Sequence, residues 1–205
     1  MFVLTEFKDT VQILPHKFKK KLNEAITNEL NRKLANKVFY KVGLCIALHD
    51  ITHISESFIV PGDGSSHTKV NFRFVVFRPF IDEVIVGRIR SCDSEGVHVT
   101  LGFFEDIIIK PENLKQNSIF NQAEQAWVWQ YEGDDGNVSE LYMDIGEPIR
   151  FRVCKEFFAE ALIVNPSAKK DADEKKETTP YAPPYMLEGD IDATGLGLLS
   201  WWANV

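Results

Sequence analysis

Two histidines and a glycine-rich turn are the first residues of this chain whose types and spacing suggest chemistry. His49 and His53 lie four residues apart, a spacing that places two metal ligands on one face of a helix. They follow strand-like sequence, however, and no glutamate completes a zinc-protease motif. The turn Gly62-Asp63-Gly64 lacks the Lys-Ser/Thr pair of a phosphate-binding loop. Spacing alone supports no Ser-His-Asp set or carboxylate pair, so we predict no catalytic site, no metal site and no cofactor.

Aromatic residues beside basic residues form the second kind of candidate, because such mixtures can bind nucleic acids. Phe72-Arg73-Phe74 could stack RNA bases, as in RNA-recognition modules, but the glycine-aromatic signature of those modules is absent. The alternating pattern favours Phe72 and Phe74 as core residues under a helix. Lys17 and the lysines at 19–21 stand at the start of a predicted helix, where positive charge opposes the helix dipole. They either meet phosphates or an acidic protein face, or form a solvated helix face.

The apolar tail carries the third candidate. Trp201 and Trp202 follow Leu198 and Leu199, and tryptophan is favoured at the hot spots of protein interfaces. Four such residues make an apolar patch too large to leave in water. The tail therefore packs back on the domain before it or is buried against a second chain, and the two uses can coexist.

The elements that must position these residues begin with a strand and a helix. Residues 2–14 are strand-like, Pro15 suits the first turn of a helix, and an apolar stripe runs from Phe18 through Leu22 to Leu34. Further strands are predicted over residues 37–48, 54–60 and 69–77. Residues 1–80 are therefore predicted to form an α+β domain, an N-terminal antiparallel sheet with one packed helix.

Residues 81–205 are predicted to form a second, all-β domain. Short strands separated by turns, with glycines at the bends, are typical of an OB-fold barrel. The five strands are predicted over residues 84–90, 96–101, 106–109, 126–131 and 149–154. Residues 165–184 are rich in Lys, Asp, Glu and Pro and have few apolar side chains, which predicts a disordered insertion.

Composition and charge bound the class of protein. The chain has 205 residues, a net charge of −7 and 44% hydrophobic residues. Residues 1–80 hold 12 basic and 7 acidic residues, whereas residues 81–205 hold 11 and 23, so we expect the two domains to face different partners. Three scattered cysteines favour a reducing compartment. No signal peptide or membrane-spanning segment is predicted, so we expect an intracellular protein with no membrane partner.

Four segments resemble one protein family over most of the chain. The phrase FRPF followed by EVIVGRI, the opening MFVLTEFKDTVQILPHKF and the hairpin IVPGDGSSHTKVNFRFVVFRPF are similar to the larger stalk subunits of archaeal and eukaryotic nuclear RNA polymerases. The ending GLGLLSWW resembles the RNA polymerase III members of that family. The resemblance implies a tip domain followed by an OB-fold barrel of the ribosomal-S-one type.

The resemblance also implies a function and a set of partners. Such a subunit is a non-catalytic part of a nucleotidyltransferase complex in the nucleus. It forms a heterodimer with the smaller stalk subunit, docks on the polymerase core, meets initiation factors and contacts single-stranded or nascent RNA weakly. The complex transcribes transfer RNA, 5S ribosomal RNA and other small RNAs, and it is implicated in sensing cytosolic DNA in innate immunity.

Site residues follow from the motif matches. For RNA binding, the nearest equivalents of the family's aromatic and basic residues are Arg88, Arg90, His98, Phe103 and Lys110. Two of them depart from the pattern, since His98 replaces an aromatic residue and Lys110 replaces a common histidine. For docking on the polymerase core, the matching residues are Phe2, Pro61, Gly62, Asp63, Gly64, Arg78 and Pro79. Trp201 and Trp202 are the expected partner-interface residues.

Two questions stay open at the level of sequence. Phe103 and Phe104 are either exposed for base stacking or buried in a core or against a partner, because OB barrels often bind proteins. The alternative function is a free-standing single-stranded RNA-binding protein, which would be a stable monomer with strong RNA affinity. The low charge and the apolar tail count against that alternative.

Overall fold

The strand that ends at Phe77 determines which face of the first domain's sheet is buried, because most of its apolar side chains point to one side. Val70, Phe72, Phe74 and Val76 are fully buried, as alternation predicts for a half-buried strand. In this computed structural model, which describes residues 1–132, 138–159 and 183–202, the chain divides into two compact units, Met1–Pro79 and Phe80–Val205.

The first unit is a four-stranded antiparallel sheet with one α-helix packed on it. Its strands have the order β1-β4-β3-β2, and Ile26 and Leu30 of the helix share a core with Phe72 and Phe74. The predicted α+β arrangement is confirmed. The elements in chain order are β1 (Phe2–Ile13), a 3-10 helix (Pro15–Lys17), α1 (Leu22–Leu34), β2 (Lys37–Phe39), β3 (Gly43–Ile59) and β4 (Ser66–Phe77).

Two element boundaries in this unit differ from the prediction. The α-helix begins at Leu22 and not at Pro15, which opens a separate 3-10 turn. Lys21 has an extended backbone, with ψ 140°, and three consecutive lysines at a helix start oppose the dipole. The two middle strands predicted over 37–48 and 54–60 are instead the short β2 and the long β3, whose pairing with β4 is interrupted by bulges.

The second unit contains nine strands among its described residues. In chain order they are β5 (Val84–Asp93), β6 (Gly96–Thr100), β7 (Ile107–Ile109), β8 (Ser118–Asn121), β9 (Ala126–Glu132), β10 (Val138–Met143), β11 (Pro148–Phe158), β12 (Tyr185–Asp190) and β13 (Gly197–Leu198). Two 3-10 helices, Pro111–Asn113 and Leu199–Trp202, accompany them.

Five of these strands close into a barrel. The ring runs β5-β6-β7-β12-β11 and back to β5, and only the β7–β12 pairing within it is parallel. The predicted five-stranded barrel is confirmed, but the prediction that residues 126–131 supply one of its strands is wrong. That segment is β9, the middle strand of a separate sheet with the order β10-β9-β8. β12, from beyond the predicted insertion, completes the barrel instead.

The tail packs back on the barrel, the first of the two alternatives expected for it. Leu198 of β13 pairs with Ile149 of β11 and is buried. The predicted insertion at 165–184 lies outside the described residues, apart from its last two. Within the described ranges, no helix is long and apolar enough to cross a membrane.

Candidate functional site

Arg88 and Arg90 lie on the outer surface of the barrel because β5 alternates. Ile85, Gly87 and Ile89 point into the barrel, while Arg88 and Arg90 between and after them are exposed. Both guanidinium groups already have partners. Arg88 Nη1 donates to the carbonyl oxygen of Gly146 at 3.1 Å, and Arg90 Nη1 donates to Glu105 Oε2 at 2.9 Å. The charge of Arg90 is therefore partly compensated, whereas no carboxylate in the described part of the chain pairs with Arg88.

His98 lies at the centre of β6. It faces Ser91 of β5 and Ile108 of β7. Its Nε2 is 2.7 Å from Asp93 Oδ2, and the other oxygen of Asp93 accepts the backbone N–H groups of Glu95 and Gly96. The contact ties His98 to the β5–β6 turn, so its ring is held in one orientation.

The two phenylalanines after β6 have different environments. Phe104 is buried and its ring centroid is 5.5 Å from that of Tyr185, so the core interpretation applies to it. Phe103 is 44% exposed and belongs to the outer surface. Gly102 before them has φ +86°, a conformation that glycine adopts without strain and that turns the chain between β6 and β7.

Lys110 does not project freely but is bound to a buried carboxylate. Glu188 on β12 has no solvent exposure, and its oxygens lie 3.0 Å from Lys110 Nζ and 3.3 Å from Lys155 Nζ. Asn113 Nδ2 donates to the same carboxylate at 2.9 Å. Burial opposes ionisation of Glu188, but the bonds from these three side chains outweigh burial and hold its pKa below the ordinary value. The bond to Glu188 also raises the pKa of Lys110.

The five predicted RNA-binding residues therefore form a stripe along β6. Arg88 is paired with Thr100 at one end of that strand, and Phe103 follows at the same end. Lys110 follows Ile109, which is paired with Val97 at the other end. The stripe is long enough for several contacts in a row and is not a single pocket, a form that suits a strand-like ligand.

The predicted docking residues fall into two groups at opposite ends of the first sheet. Phe2 is paired with Phe77, and Arg78 and Pro79 follow that end. The turn at 61–64 lies at the other end, where Ile13 is paired with Ser66. Twelve residues of β1 separate the groups, a length of roughly 35–40 Å at strand rise.

The first group, which consists of Phe2, Arg78 and Pro79, already makes contacts within the chain. The ring of Phe2 is 45% exposed and packs edge-on against that of Phe77. Arg78 Nη1 donates to the carbonyl oxygen of Lys41 at 2.7 Å, and Pro79 is buried. Arg78 and Pro79 thus have structural roles, which the sequence motif did not separate from docking.

The turn at 61–64 is exposed and held by one carboxylate. Gly62 and Gly64 have φ +91° and +69°, in the left-handed region that favours glycine. Asp63 accepts hydrogen bonds from Ser65 Oγ, from Gln12 Nε2 at 3.0 Å and from His67 Nε2 at 3.2 Å. These hydrogen bonds, chiefly the one from Ser65, hold the pKa of Asp63 below its ordinary value. The turn is therefore a preformed feature of the surface.

A groove beside this end of the sheet was missed by sequence reasoning. We name it the tip groove. It has a volume of about 290 Å³, and its apolar walls are Phe18, Leu22 and Ile59, with Lys17 and Lys20 at its rim. Ile59 is 62% exposed. The sequence predicted that Phe18 and Leu22 belong to one buried helical stripe. Because α1 begins four residues after Phe18, both side chains line this groove instead.

The tail tryptophans contribute to a second concave surface on the second unit. Trp202 Nε1 donates to the carbonyl oxygen of Leu196 at 3.1 Å, and the ring of Trp201 is 5.0 Å from that of Trp129. Both tail rings are only half-buried. They pack on this chain and still present a face to solvent, so packing and partner binding are compatible.

His49 and His53 are on β3 and not on a helix. The Nδ1 of His49 lies 3.3 Å from Asp50, whose carboxylate is bound twice by Arg73 at 2.8 and 2.5 Å. The hydrogen bond from Arg73 is the main reason that the pKa of Asp50 lies well below its usual range. Across the described ranges, no group of three or more His, Cys, Asp or Glu side chains could hold a metal ion.

Comparison with known proteins identifies the family. The family described as RNA polymerase III subunit Rpc25 matches residues 83–202, and the SHS2 domain found in the N terminus of Rpb7p and Rpc25p matches residues 8–64. The chain belongs to the RNA polymerase III subunit Rpc25 family. The Rpc25 match spans the whole barrel, the β8–β10 sheet and both tail tryptophans.

Individual relatives support this membership over the full length. The chain is 54% identical to DNA-directed RNA polymerase III subunit RPC8 of Bos taurus, with 100% of each chain covered. It is 42% identical to the subunit of the same name from Schizosaccharomyces pombe, over 98% of this chain and 100% of the relative. DNA-directed RNA polymerase subunit Rpo7 of Saccharolobus shibatae is 30% identical over 58% of this chain and 68% of its own length. The resemblance to eukaryotic and archaeal stalk subunits is therefore confirmed.

Proposed function

We propose that this chain is the larger, non-catalytic stalk subunit of RNA polymerase III, acting in the nucleus as a heterodimer with the smaller stalk subunit. The observation that carries the proposal is the 54% identity, over the whole length, to a protein named DNA-directed RNA polymerase III subunit RPC8. A pull-down of the tagged chain from nuclear extract, followed by mass spectrometry, tests it. Nuclease-resistant recovery of the polymerase in near-equal amounts supports it, whereas recovery of RNA and RNA-dependent proteins alone favours a free RNA-binding protein.

The tip groove and the turn at 61–64 are the surface that we assign to docking on the polymerase core. They lie at the same end of the sheet, and Ile59, Phe18 and Leu22 leave apolar area exposed there. Large exposed apolar patches rimmed by polar residues are typical of protein interfaces. Lysines at the rim and the excess of basic residues in 1–80 favour an acidic docking face.

A substitution in this groove tests the docking assignment. We expect Ile59→Asp to abolish recovery of the polymerase core, because it places a charge in the centre of the apolar contact. Leu4→Asp is the matched control, since Leu4 is 50% exposed on the same sheet but near its other end. If Leu4→Asp prevents recovery and Ile59→Asp does not, docking belongs to the end that carries Phe2.

The stripe along β6 is the surface that we assign to weak contacts with nascent RNA. Arg88 supplies a charge that no carboxylate among the described residues neutralises, and Phe103 supplies an exposed ring for base stacking. Stacking contributes about 1–3 kcal/mol per base. The excess of acidic residues in 81–205 keeps such binding local and weak. Contacts with initiation factors during transcription initiation, and any part in sensing cytosolic DNA, belong to the assembled complex.

Alanine substitution of the three cations tests the RNA assignment. We expect the Arg88→Ala/Arg90→Ala/Lys110→Ala variant to bind octauridine more weakly and with a smaller salt dependence. The slope of log affinity against log salt should fall by up to about 2, since each phosphate contact contributes about 0.7 on single strands. Arg88→Ala alone should account for the largest share, because Arg90 and Lys110 are ion-paired with Glu105 and Glu188. Unchanged affinity in the triple variant would remove RNA binding from this surface.

A further inference from the structure

The first strand of the first unit, β1, is a long sheet edge with unused hydrogen-bonding groups. It stands at the end of the order β1-β4-β3-β2, so among the described strands it has a neighbour on one side only. Its pairing with β4 is regular over all twelve residues, without a bulge. A regular edge of this length is a template for pairing with another strand.

The backbone groups that face the free edge belong to the even-numbered residues of β1. Arg78 donates its N–H to the carbonyl oxygen of Met1 at 3.0 Å, one step beyond the end of the β1–β4 pairing. Backbone bonding alternates along antiparallel strands, so the odd-numbered residues bond to β4. Thr10 agrees with this alternation, because its N–H donates to the side chain of Asp9 at 2.8 Å. An added strand would therefore bond to the even-numbered residues.

Two charged residues at the middle of this edge carry no ion pair. Glu6 and Lys8 are exposed, and neither forms an ion pair with a described residue. Glu6 lies opposite Arg73 of β4, but that guanidinium is already bound by Asp50. Lone charges on an edge usually discourage pairing. Here the two charges have opposite signs, so a strand that carries them in the opposite order would pair with both.

A second copy of this chain supplies that order in one register. A two-fold axis perpendicular to the sheet keeps both helices on the same face, so it joins even-numbered to even-numbered residues of two antiparallel β1 strands. Centred on Phe7, the pairing places Glu6 opposite Lys8 of the second copy, and the symmetry repeats this contact. The two neighbouring registers, centred on Glu6 or on Lys8, place identical charges opposite each other, which is destabilising.

The helix-bearing face of the edge has room for the same arrangement. A groove of about 410 Å³ lies there between β1 and α1, and Val11 and Leu30 are among its lining residues. In the register centred on Phe7, Val3 of the second copy lies opposite Val11 and points to the same face. Its side chain therefore enters this groove, and the symmetry places the other Val3 in the equivalent groove.

We propose that two copies of the chain associate through antiparallel pairing of their β1 strands, centred on Phe7. The two four-stranded sheets join into one sheet with both helices on the same face. Glu6 and Lys8 form two cross-strand ion pairs, and backbone hydrogen bonds connect the even-numbered residues. Because the contact is one strand edge wide, we expect a weak dimer in the micromolar range. The proposal concerns the chain free of other subunits and does not depend on the docking or RNA-binding assignments.

Sedimentation velocity of the full-length chain under reducing conditions tests the proposal. We expect a concentration-dependent shift from monomer to dimer that weakens as salt is added. Lys8→Glu places carboxylates opposite each other in both copies of the charged contact, so the dissociation constant should rise about 10-fold or more. The double change Glu6→Lys/Lys8→Glu reverses every charge of the contact and keeps them complementary, so it should restore the dissociation constant to within about 3-fold.

Mixing two variants tests the pairing without any double change. Glu6→Lys and Lys8→Glu should each associate weakly alone, but an equimolar mixture should dimerise because the charges of one edge complement those of the other. Lys69→Glu is the matched control, since Lys69 is exposed on the same sheet but lies on the inner strand β4. It should leave the dissociation constant within about 2-fold. Circular dichroism should show that each variant is folded.

Three results would overturn the proposal. A chain that stays monomeric up to submillimolar concentration has no such dimer, and its β1 edge is then left for a strand of another protein. A dimer that Lys8→Glu does not weaken uses another surface. Failure of both the double variant and the mixture to dimerise would exclude the register centred on Phe7.

Discussion

Replacement of Gly96 by alanine is expected to destabilise the barrel by about 2–6 kcal/mol. Gly96 has φ +148°, and a Cβ at this position would lie 2.2 Å from the carbonyl oxygen of Ile109 and 3.0 Å from its carbonyl carbon. Both atoms belong to the backbone of β7, so no side chain can move aside. Strained backbone conformations cost of the order of 1–3 kcal/mol and overpacking costs a similar amount. The expected loss is the sum of these two effects.

Urea unfolding followed by tryptophan fluorescence measures this effect. Trp127, Trp129, Trp201 and Trp202 are the four tryptophans of the chain, and all lie in the second unit, so the signal reports that unit alone. Gly102→Ala is the matched control, because Gly102 has φ +86° but a Cβ there would meet nothing within 4 Å. Its only loss of stability should come from placing a residue with a Cβ in the left-handed conformation, about 1–2 kcal/mol. Equal losses in the two variants would show that the β6–β7 contact is not the cause.

The sequence predicted the first unit well because its strands are long and face one core. Phe72 and Phe74 alternate with Arg73, and in the structure both are fully buried. A slip of one residue in that strand would exchange the two faces, so the pattern identifies the core without help from the rest of the chain. The start of α1 was less predictable, because Phe18 and Leu22 continue a helical spacing that the extended Lys21 interrupts.

The last barrel strand could not be found by reading strands in order. Residues 126–131 have strong strand propensity, with Trp127, Val128 and Trp129 in succession, and they do form β9. Propensity reports that a segment is extended but not which sheet it joins. The strand that pairs with β7 and β11 is β12, which follows a long polar segment. Its place in the barrel is set by pairing with residues far away in sequence.

The contacts of the candidate site residues also could not be predicted from the sequence, because their partners are far away in the chain. The resemblance selected Lys110, but nothing near it in sequence indicates Glu188, which binds it. Asn113 and Lys155 are 75 and 33 residues from Glu188. Ion pairs between distant segments leave no local pattern, unlike the alternation that placed Arg88 and Arg90 on the surface. The ring contact between Trp129 and Trp201 likewise joins separate parts of the chain.

Removal of both lysines that bind Glu188 is the second large effect that we expect. In Lys110→Met/Lys155→Met the carboxylate of Glu188 stays fully buried and keeps only the bond from Asn113. A buried charge left without its ionic partners costs about 3–5 kcal/mol. Urea unfolding at neutral pH should show a loss of this size. The reverse change, Glu188→Gln, should cost less, because Lys110 and Lys155 are 40% and 56% exposed and can be solvated.

The pH dependence distinguishes a lost ion pair from a simple packing defect. In the wild type the pKa of Glu188 is lowered on folding, so its contribution to stability is present above the unfolded pKa and is lost as pH falls through the folded pKa. In the double-lysine variant burial dominates and raises the pKa of Glu188 above its unfolded value. Its ionisation then opposes folding above the unfolded pKa, so the variant should become more stable as pH falls from neutral to about 5. Adding Glu188→Gln to the double variant should restore most of the stability and remove this pH dependence, because no buried charge remains. If the triple variant is no more stable than the double variant, the loss comes from packing of the lysine side chains and not from the charge of Glu188.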